Sequence, residues 1–475
     1  MKRCDLSIWI MVFLTLALSA CVKTVHRFPP TDTTVRLDST NLPIVWIEIN
    51  DTLSRINRIG ARMKIIHNGD GLINYADTVA HPGQYVDYQG FIALRYRGNS
   101  TFNNSPKKPY SFRTLSQPLH RGNNKRKVSI LGMGKDNNWA LMAPYADKSM
   151  MRDQLTYALA APWLEFVPEG HYCEVIINGV YYGVYVLTEI VSKGKHRLNL
   201  DSPDNRGDYV TGDYMLEVDC NDEVTYTSKF PPVSTDGTPF NDCHILFQFK
   251  FPDYEDLTSP QLRFITHRIY EMEQLLWNGD YSRYIDIATF IDYQLFTELS
   301  HNVDGYRLSA KFYKRRDGID PRFKMTIWDF DLAYGNAEHH EGWRTDTWIY
   351  QSNDLLHREQ DPYLVPFWWH RLNNDPNYVA QLKARWAQLR AAGLNEEVIT
   401  ATIDSYVALL TSHGALQRDS QAWPRWGIKV WPNHYVATDF DDEIAYLKQW
   451  IHDRIAWMDA QLCLPNGTSQ VHYHQ

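Results

Sequence analysis

Alternation of apolar and polar residues dominates the first half of the chain. Four runs have this alternation or are rich in β-branched and aromatic residues: IVWIEI (44–49), ARMKII (61–66), GFIALRYR (90–97) and KPYSFR (108–113). Such runs are typical of β-strands. Residues 172–191 place two further runs on either side of Asn178-Gly179, a residue pair that favours a hairpin turn. Residues 147–160 differ, because their apolar positions recur at the helical period of about 3.6 residues.

After Pro260 the alternation of apolar and polar residues gives way to helical spacing. Helical periodicity marks residues 259–277, 286–300 and 439–462 and much of the chain after Phe367. Residues 301–336 interrupt the helices with a predicted β-hairpin. We therefore predict an α+β fold in which a β-rich part, about 42–255, packs on a helical part, about 256–462, with the hairpin at the junction.

The composition is that of an ordinary globular protein. The chain has 475 residues, of which 44% are apolar and 22% charged, and its net charge is −8. This length is enough for one two-lobed domain or for two or three separate cores. The pI of about 6.1 gives no sign of the basic surface that nucleic-acid binding requires, so we expect no nucleic-acid partner.

The first residues predict an export signal that is not part of the fold. Lys2 and Arg3 precede an apolar run, residues 6–20, that is too short for a comfortable membrane span. The run ends in Leu-Ser-Ala-Cys, which resembles a bacterial lipobox. Cys21 is therefore predicted to be acylated after removal of a lipoprotein signal peptide at 1–20. A plain secretory signal with a chance cysteine is the alternative.

The predicted lipid would anchor a folded domain to a membrane of the cell envelope. Residues 21–41 are polar and contain proline, as in a tether, and no later run is long enough to span a membrane. Val22 stands where an Asp is associated with retention in the inner membrane. We therefore expect a lipid-anchored protein at the outer membrane.

Four cysteines remain in the predicted mature chain after Cys21 has taken lipid: Cys173, Cys220, Cys243 and Cys463. An even number of cysteines in an exported chain permits disulfides. Cys220 and Cys243 are the favoured pair, because they bracket a Pro-, Gly- and Thr-rich excursion between two strand-like runs. Four buried free thiols are an equal alternative.

Two aspartates close the hairpin predicted within 301–336. Asp329 and Asp331 form a D-x-D, and alternate residues of a strand point to the same face, so their carboxylates would lie about 7 Å apart. Phe330 would then face the core. Two neighbouring carboxylates repel each other, and a cation relieves the repulsion. Ligands that are all oxygens favour a hard ion such as Mg²⁺ or Mn²⁺.

A third aspartate, Asp304, lies at the end of the preceding helix, just before the first hairpin strand. If the strands pair in register, Asp304 lies near the metal pair, where phosphoryl transfer needs an acid or base. The surrounding residues are short, polar or permissive: Asn302, Gly305 and Asn336. The structural alternative is that Asp304 caps a turn and that the D-x-D is a strand end facing solvent.

Five segments of the chain together resemble the CotH kinase family of atypical protein kinases. They are GFIALRYRGNSTFNNSPKKPYSFR (90–113), LGMGKDNNWALMAPYADKSMMRDQLTYALA (131–160), NGVYYGVYVLTE (178–189), ELSHNVDGYR (298–307) and WDFDLAYGN (328–336). The resemblance extends over about residues 43–460. It implies a two-lobed, kinase-like fold for residues 42–462, with 463–475 as a tail. Relatives in other bacteria are often lipoproteins.

The resemblance implies ATP and a divalent cation, Mg²⁺ or Mn²⁺, as cofactors. On this chain the family's catalytic Asp matches Asp304. Its metal-binding Asp matches Asp329, with Asp331 beside it. Asn302 or Asn336 would supply a further metal ligand.

The resemblance also requires polar and basic groups from the β-rich part to bind the nucleotide. The candidates are Arg97, Asn99 and Ser100 in one loop, Lys107 and Lys108 at the start of a strand, Arg152 in the helix at 147–160, and Glu189 where a kinase hinge would meet adenine. A solvated strand end accounts for at least one of the lysines. Arg152 has apolar neighbours and needs a buried acceptor or a ligand, and Glu189 pairs with Arg152 or a lysine in an alternative interpretation.

The chain departs from ordinary protein kinases, since it has no G-x-G-x-x-G, H-R-D or D-F-G, and Ser309 stands five residues after Asp304 in place of Asn. We expect a metal-dependent kinase that transfers the ATP γ-phosphate to Ser or Thr of exported or surface proteins. The alternatives are a weak or inactive kinase-fold scaffold and a carbohydrate-handling surface protein. In the last case some of the 16 Trp residues and the run AWPRWGIKVWPNHYV (422–436) would stack sugars instead of packing in the core.

Overall fold

The computed structural model describes residues 28–121, 124–220 and 225–462. The predicted signal peptide, Cys21 with its predicted acylation, Cys463 and the C-terminal tail lie outside these ranges. Within them the fold is mixed α+β, with most strands in the first half of the chain and most helices in the second. No helix of this part of the chain is long and apolar enough to cross a membrane.

The strands form a barrel and two smaller sheets. They are β1 (Ser39–Thr40), β2 (Ile44–Ile49), β3 (Ile59–Ile66), β4 (Asn74–Tyr75), β5 (Val86–Tyr96), β6 (Tyr110–Leu115), β7 (Asn138–Met142), β8 (Gly170–Ile177), β9 (Val180–Thr188), β10 (Tyr214–Val218), β11 (Tyr226–Thr227), β12 (Leu246–Phe251), β13 (Ala310–Lys314) and β14 (Phe323–Thr326). The barrel has the order β2-β3-β5-β6-β7-β9-β8 and closes by parallel pairing of β8 with β2. The larger sheet has the order β11-β12-β10-β13-β14, and β1 pairs with β4.

The helices follow the barrel in the chain, except for the first two. They are α1 (Ser100–Asn104), α2 (Arg152–Ala160), α3 (Ser259–Asn278), α4 (Ile287–Ser300), α5 (Asn353–Arg358), α6 (Phe367–Asn373), α7 (Pro376–Ala391), α8 (Glu396–Thr411), α9 (Ala415–Ala422) and α10 (Phe440–Gln461). Polar caps determine where several of them begin, because they satisfy backbone N–H groups that have no partner inside the helix. Asp286 and Asp439 cap α4 and α10 in this way.

The strands and helices predicted from periodicity are present. The hairpin of β8 and β9 turns at Asn178 and Gly179, which both have positive φ, at 50° and 78°, as a two-residue turn of this type requires. The helix predicted over 147–160 begins only at Arg152. The cause is Asp147, whose carboxylate accepts hydrogen bonds from the backbone N–H groups of Ser149 and Arg152 and holds the preceding residues in a turn.

Two features join the predicted β-rich and helical parts. The larger sheet pairs β10, from the first part, with β13 of the predicted hairpin. In addition, α9 packs against β9 of the barrel and presents Asp419, whose carboxylate accepts from Lys107 Nζ (2.5 Å) and Val184 N (2.8 Å). Gly183 permits this approach, because a Cβ there would lie 2.3 Å from Asp419 Oδ1. A residue of the predicted helical part therefore supplies a buried partner to the barrel.

The cysteines correct one prediction. The three that lie in the described ranges, Cys173, Cys220 and Cys243, form no disulfide with one another. The predicted Cys220–Cys243 pair is therefore wrong. Cys220 lies two residues after the end of β10, and its carbonyl oxygen accepts a hydrogen bond from Gln248. Cys243 lies beside His357 of α5. The two cysteines therefore contact different parts of the protein, although they lie at the two ends of one Pro-, Gly- and Thr-rich segment.

Candidate active site

Four aspartates from three segments converge on one site. Asp153 lies on α2, Asp304 follows α4, and Asp329 and Asp331 follow β14. Their charges interact: Asp304 raises the pKa of Asp329, and both Asp329 and Asp153 raise the pKa of Asp331. The structure therefore brings together the three predicted aspartates and adds a fourth, Asp153, that the sequence analysis did not identify.

Asp329 and Asp331 were predicted to lie on a strand, and this prediction is wrong. The strand β14 ends at Thr326, and Asp329 has a left-handed φ of 69°. For a residue other than glycine such a conformation costs about 1–3 kcal/mol and persists only where surrounding contacts impose it. Phe330 does lie in the core, with 1% of its surface exposed. The two carboxylates therefore project from a strained turn and not from one face of a sheet.

Side chains from elsewhere in the fold hold this turn in place of a strand partner. The Asp329 N–H donates to Tyr157 Oη (3.1 Å), and the Phe330 N–H donates to Asp153 Oδ1 (2.6 Å). The Asp329 carbonyl accepts from Asn302 Nδ2 (2.8 Å). These hydrogen bonds satisfy the backbone groups that a strand partner would otherwise satisfy, and they fix the direction of the Asp329 carboxylate.

The aspartate cluster carries more negative charge than the protein compensates. Burial, followed by the charge of Asp329, raises the pKa of Asp153 to about 7. Burial also raises the pKa of Asp329, although Arg97 opposes the shift. The pKa of Asp331 lies well above its usual range because of burial and of the neighbouring aspartates. Such a site favours binding of a cation or of protons.

Two cations border the cluster. The Arg97 guanidinium lies 5.2 Å above the ring of Trp328, and its charge interacts with Asp329 and Asp153. Lys311 on β13 contacts Glu217 and also interacts with the charge of Asp329. Arg97 was a predicted nucleotide ligand, whereas Lys311 was not predicted. Both lie where they could meet an anion bound beside Asp329.

An arginine fixes the orientation of Asp304. Arg307 Nη2 donates to Asp304 Oδ1 at 2.7 Å, and Arg307 Nη1 donates to Asp361 at 2.9 Å. The Asp304 N–H donates to Asn302 Oδ1 (3.2 Å). Within the described ranges no side chain donates to Asp304 Oδ2, and 24% of the Asp304 side chain is exposed. One carboxylate oxygen is therefore held, and the other faces accessible space.

The amides of Asn302 and Asn336, the two predicted metal ligands, are engaged at both ends. Asn302 bridges the Asp329 carbonyl and the Asp304 N–H. Asn336 donates to the Asp331 carbonyl (2.7 Å) and accepts from Asn433 (2.7 Å). Both amides hold the loops that carry the aspartates, and their role as metal ligands stays a prediction.

The two lysines predicted to bind nucleotide have partners within the protein, and their role as nucleotide ligands stays a prediction. Lys107 is fully buried and pairs with Asp419. Lys108 is also buried, and its ammonium donates to the carbonyl groups of Phe102 and Ser105. The structure does not bring either ammonium group to the aspartate cluster.

Arg152 and Glu189 also have partners within the protein. Arg152 donates to Asp147 (2.5 Å) and Glu443 (2.8 Å), so it has the buried acceptors that its apolar surroundings required. Glu189 pairs with Arg197 at 3.4 Å, and not with Arg152 or a lysine. These contacts position α2 and the end of β9.

Asn99 and Ser100 lie in an exposed turn at the start of α1. Asn103 Nδ2 donates to Asn99 Oδ1 (3.2 Å), and Asn104 Nδ2 donates to the Ser100 carbonyl (3.0 Å). These two residues follow Arg97 closely in the chain, and the two hydrogen bonds join them to residues of the same short helix. Their role as nucleotide ligands stays a prediction.

Two further residues of the site were not predicted as site residues. Arg307 was not singled out in the sequence, and Ser309 was noted only as a departure from ordinary kinases. Arg307 stands three residues after Asp304, a spacing at which a basic residue in a turn can reach back. Ser309, which stands where ordinary kinases have Asn, donates from Oγ to Asp329 Oδ2 (3.2 Å). The signal that could have identified Ser309 is its position five residues after Asp304. A hydroxyl there can donate to the carboxylate as the amide of Asn would.

The aromatic run at 422–436 divides between core and surface. Trp423 is 1% exposed and donates to the Tyr182 carbonyl (2.7 Å). Trp431 is 40% exposed, and its ring stacks on His339 at 5.8 Å. Part of the run therefore packs in the core, which was the alternative to a role in sugar stacking.

The aspartates do not form a preassembled three-carboxylate metal site. Among the described residues, the only three side chains whose metal-binding atoms all lie within 4.8 Å of one another are Asp242, Cys243 and His357. An ion at the aspartate cluster would therefore need further oxygens, such as those of a bound phosphate, or rotation of the carboxylates.

A sequence comparison with known protein families identifies the family of this chain. The sequence model of the CotH kinase protein family matches residues 94–458, which include all four aspartates, Arg97, Arg307 and Lys311. The match covers most of the chain, and the protein therefore belongs to the CotH kinase family. No curated protein matches the chain.

Proposed function

We propose that this protein is a metal-dependent atypical kinase that transfers the γ-phosphate of ATP to Ser or Thr of exported or cell-envelope proteins. Family membership supports a kinase-like function. The observation that carries the proposal is the convergence of Asp304, Asp329 and Asp331 beside Arg97 and Lys311. We also propose that the barrel and the C-terminal helices correspond to the two lobes of a kinase-like fold.

The donor set fits a divalent cation. Asp329 and Asp331 supply carboxylate oxygens, which Mg²⁺ and Mn²⁺ prefer. Burial and repulsion by neighbouring aspartates raise the pKa of both groups, so a bound cation would remove a cost that the metal-free protein bears. When bound, such an ion would neutralise part of the phosphate charge of ATP and orient the phosphates.

Residues around Asp329 would bind and orient the phosphates. Arg97 and Lys311 carry positive charge next to the carboxylate and would donate hydrogen bonds to phosphate oxygens. Ser309 holds Asp329 Oδ2 and so limits its rotation. The strained turn at Asp329 supports the same interpretation, because backbone strain of this kind clusters at functional sites.

Asp304 would act on the acceptor. Arg307 holds its Oδ1, which leaves Oδ2 to accept a hydrogen bond from the hydroxyl of an incoming Ser or Thr. As that oxygen attacks the γ-phosphorus and the bond to ADP breaks, its proton would pass to Asp304. Arg307 is a positioning residue in this scheme, because it acts through Asp304.

Nucleotide binding tests the proposal directly. Asp329→Asn and Asp331→Asn should each weaken binding of Mn²⁺-ATP by about tenfold or more, since the loss of a group that merely supports a metal ligand already costs about 10–100-fold in affinity. Isothermal titration calorimetry with and without Mn²⁺ measures the effect. Asp346→Asn, at a side chain 54% exposed, is the control and should change nothing. A wild-type protein that binds no ATP with either metal would refute the proposal.

The same variants should not destabilise the metal-free protein. A carboxylate whose pKa is raised on folding binds more protons in the folded state, so its contribution to stability falls as pH rises from the unfolded pKa of about 4 toward the folded value. At pH 7.5 an uncharged Asn removes this cost, and the melting temperature of Asp331→Asn should equal or exceed that of the wild type. Differential scanning calorimetry measures this melting temperature. A clear decrease would instead indicate that the carboxylate has a structural capping role.

We further propose that lipid on Cys21 anchors the domain at the outer membrane. The support is the basic start, short apolar run and lipobox of the sequence. Cys21→Ser should abolish membrane association after a carbonate wash, because the acylated side chain is lost. Cys4→Ser, in the predicted signal peptide, is the matched control and should remain with the membrane. Retention of Cys21→Ser in the washed membrane would contradict the anchor.

A further inference from the structure

A second group of metal-binding side chains lies outside the aspartate cluster. Asp242 and Cys243 belong to the loop between β11 and β12, and His357 lies on α5. The carboxylate, thiol and imidazole ligand atoms all lie within 4.8 Å of one another. This mixture of sulfur, nitrogen and oxygen ligands suits Zn²⁺, whereas a site built from oxygen alone suits Mg²⁺. The group therefore differs in chemistry from the proposed kinase site.

One aromatic residue orders two of the three ligands. The Phe240 ring stacks on the His357 imidazole, with centroids 4.4 Å apart and planes at 25°. The Phe240 carbonyl accepts from the Cys243 N–H (3.1 Å). His357 Nε2 lies 3.7 Å from Asp242 Oδ2, which is too long for a direct hydrogen bond. The imidazole and the carboxylate therefore face each other across a gap.

The loop that carries Asp242 and Cys243 is attached along α5. Asn353 Nδ2 donates to the Val233 carbonyl (2.8 Å), and the Thr235 N–H donates to Asp354 Oδ2 (3.1 Å). These contacts lie at the first turn of the helix, whereas His357 is in its last turn. The loop thus has hydrogen bonds to one end of α5 and a group of metal ligands at the other.

We propose that Asp242, Cys243 and His357 bind one Zn²⁺ ion, which fastens the loop to the C-terminal end of α5. Cys243 binds as the thiolate, and its proton passes to solvent. His357 contributes a ring nitrogen, Asp242 contributes a carboxylate oxygen, and water completes a tetrahedral site. The proposal is independent of nucleotide binding, because it uses none of the residues assigned to the kinase site.

Cobalt provides a spectroscopic test on the full chain, purified in detergent and freed of metal with a chelator. One equivalent of Co²⁺ should produce thiolate-to-cobalt charge-transfer absorption, and Zn²⁺ should displace it. Cys243→Ser should abolish this absorption. His357→Gln should weaken zinc binding by more than about 100-fold, since partners that merely hydrogen-bond a ligand already change affinity by about 10–100-fold. Cys220→Ser, a second cysteine of similar exposure, should leave both properties unchanged.

Several results would overturn the site. They are an absence of thiolate absorption in the wild type, survival of the absorption in Cys243→Ser, and its loss in Cys220→Ser. Survival of the absorption in Cys243→Ser would place the metal elsewhere, for example at Cys463.

If Cys243→Ser fails to fold, Asp242→Asn provides the test, because the Asp242 side chain is 76% exposed. The Asp242→Asn substitution should lower the affinity for zinc at least about tenfold, and an unchanged affinity would refute the proposal. Cys243→Ser should keep Mn²⁺-ATP binding and Asp329→Asn should keep the cobalt absorption, so failure of either site is recognised separately.

Discussion

Replacing Asp304 by Asn is expected to slow phosphate transfer by about 100-fold or more, the usual scale for losing general acid–base assistance. The substitution preserves shape and removes the group that would accept the hydroxyl proton. Asp304 acts in the transition state and does not hold the nucleotide, so the affinity for metal-bound ATP should stay within a few-fold of the wild type. Initial rates of autophosphorylation, or of transfer to a Ser-rich acidic protein, measure the first effect, and calorimetry measures the second.

The wild-type protein and one control variant distinguish a kinase from a scaffold and from a glycan-binding protein. Asp346→Asn, which changes an exposed carboxylate, should transfer phosphate at the wild-type rate. Undiminished transfer by Asp304→Asn would refute the role of Asp304. A wild type that binds ATP but transfers phosphate to nothing, including itself, would favour the scaffold. A wild type that binds glycans and no nucleotide would remove both the kinase proposal and the assignment of Asp304.

Asp419→Asn is expected to lower the free energy of unfolding by about 3–5 kcal/mol, the usual cost of removing one partner from a buried ion pair. Asp419 pairs with Lys107 (2.5 Å) and Arg425 (2.7 Å), and all three side chains have no exposed surface. Burial alone would raise the pKa of Asp419, but the two cations lower it below its usual value. The Asn variant would leave both cations buried without an anion. Urea denaturation measures the difference.

A surface pair provides the comparison for Asp419. Asp404 and Lys448 are 2.5 Å apart, with side chains 56% and 33% exposed. Exposed pairs of this kind contribute about 0–1 kcal/mol, so Asp404→Asn should have little effect. If Asp419→Asn were equally mild, the ion pair would not be an important support of the barrel.

The parts of the fold that could be predicted are those that depend on neighbouring residues. The pleat of β2 and the period of α3 appear directly in the spacing of buried side chains, and the turn at Asn178-Gly179 depends on two adjacent residues. The proximity of Asp304 and Asp329 could also be predicted, since both lie in short segments that resemble a known family. Local spacing and family resemblance were sufficient for these features.

Features that depend on distant residues could not be predicted. Pairing of β8 with β2 closes the barrel across more than 100 positions of the chain. Asp153 appeared as an ordinary charged residue within the helix predicted over 147–160, and only folding brings it to Phe330 N. The same hydrogen bond, with those from Tyr157 and Asn302, explains why the D-x-D is a turn: tertiary partners replaced the strand partner that alternation had suggested.

The position of α9 in the chain has a consequence for the order in which the molecule can fold. Every barrel strand is complete by Thr188, yet the anion that neutralises Lys107 is Asp419, 312 residues further along. A nascent chain that ends before α9 would have to bury an ammonium group without a counter-ion, which is strongly unfavourable. We therefore expect the barrel to remain incompletely folded until α9 has been synthesised. For a chain proposed to leave the cytoplasm, this delay would help keep it in the unfolded form that export through a narrow channel requires.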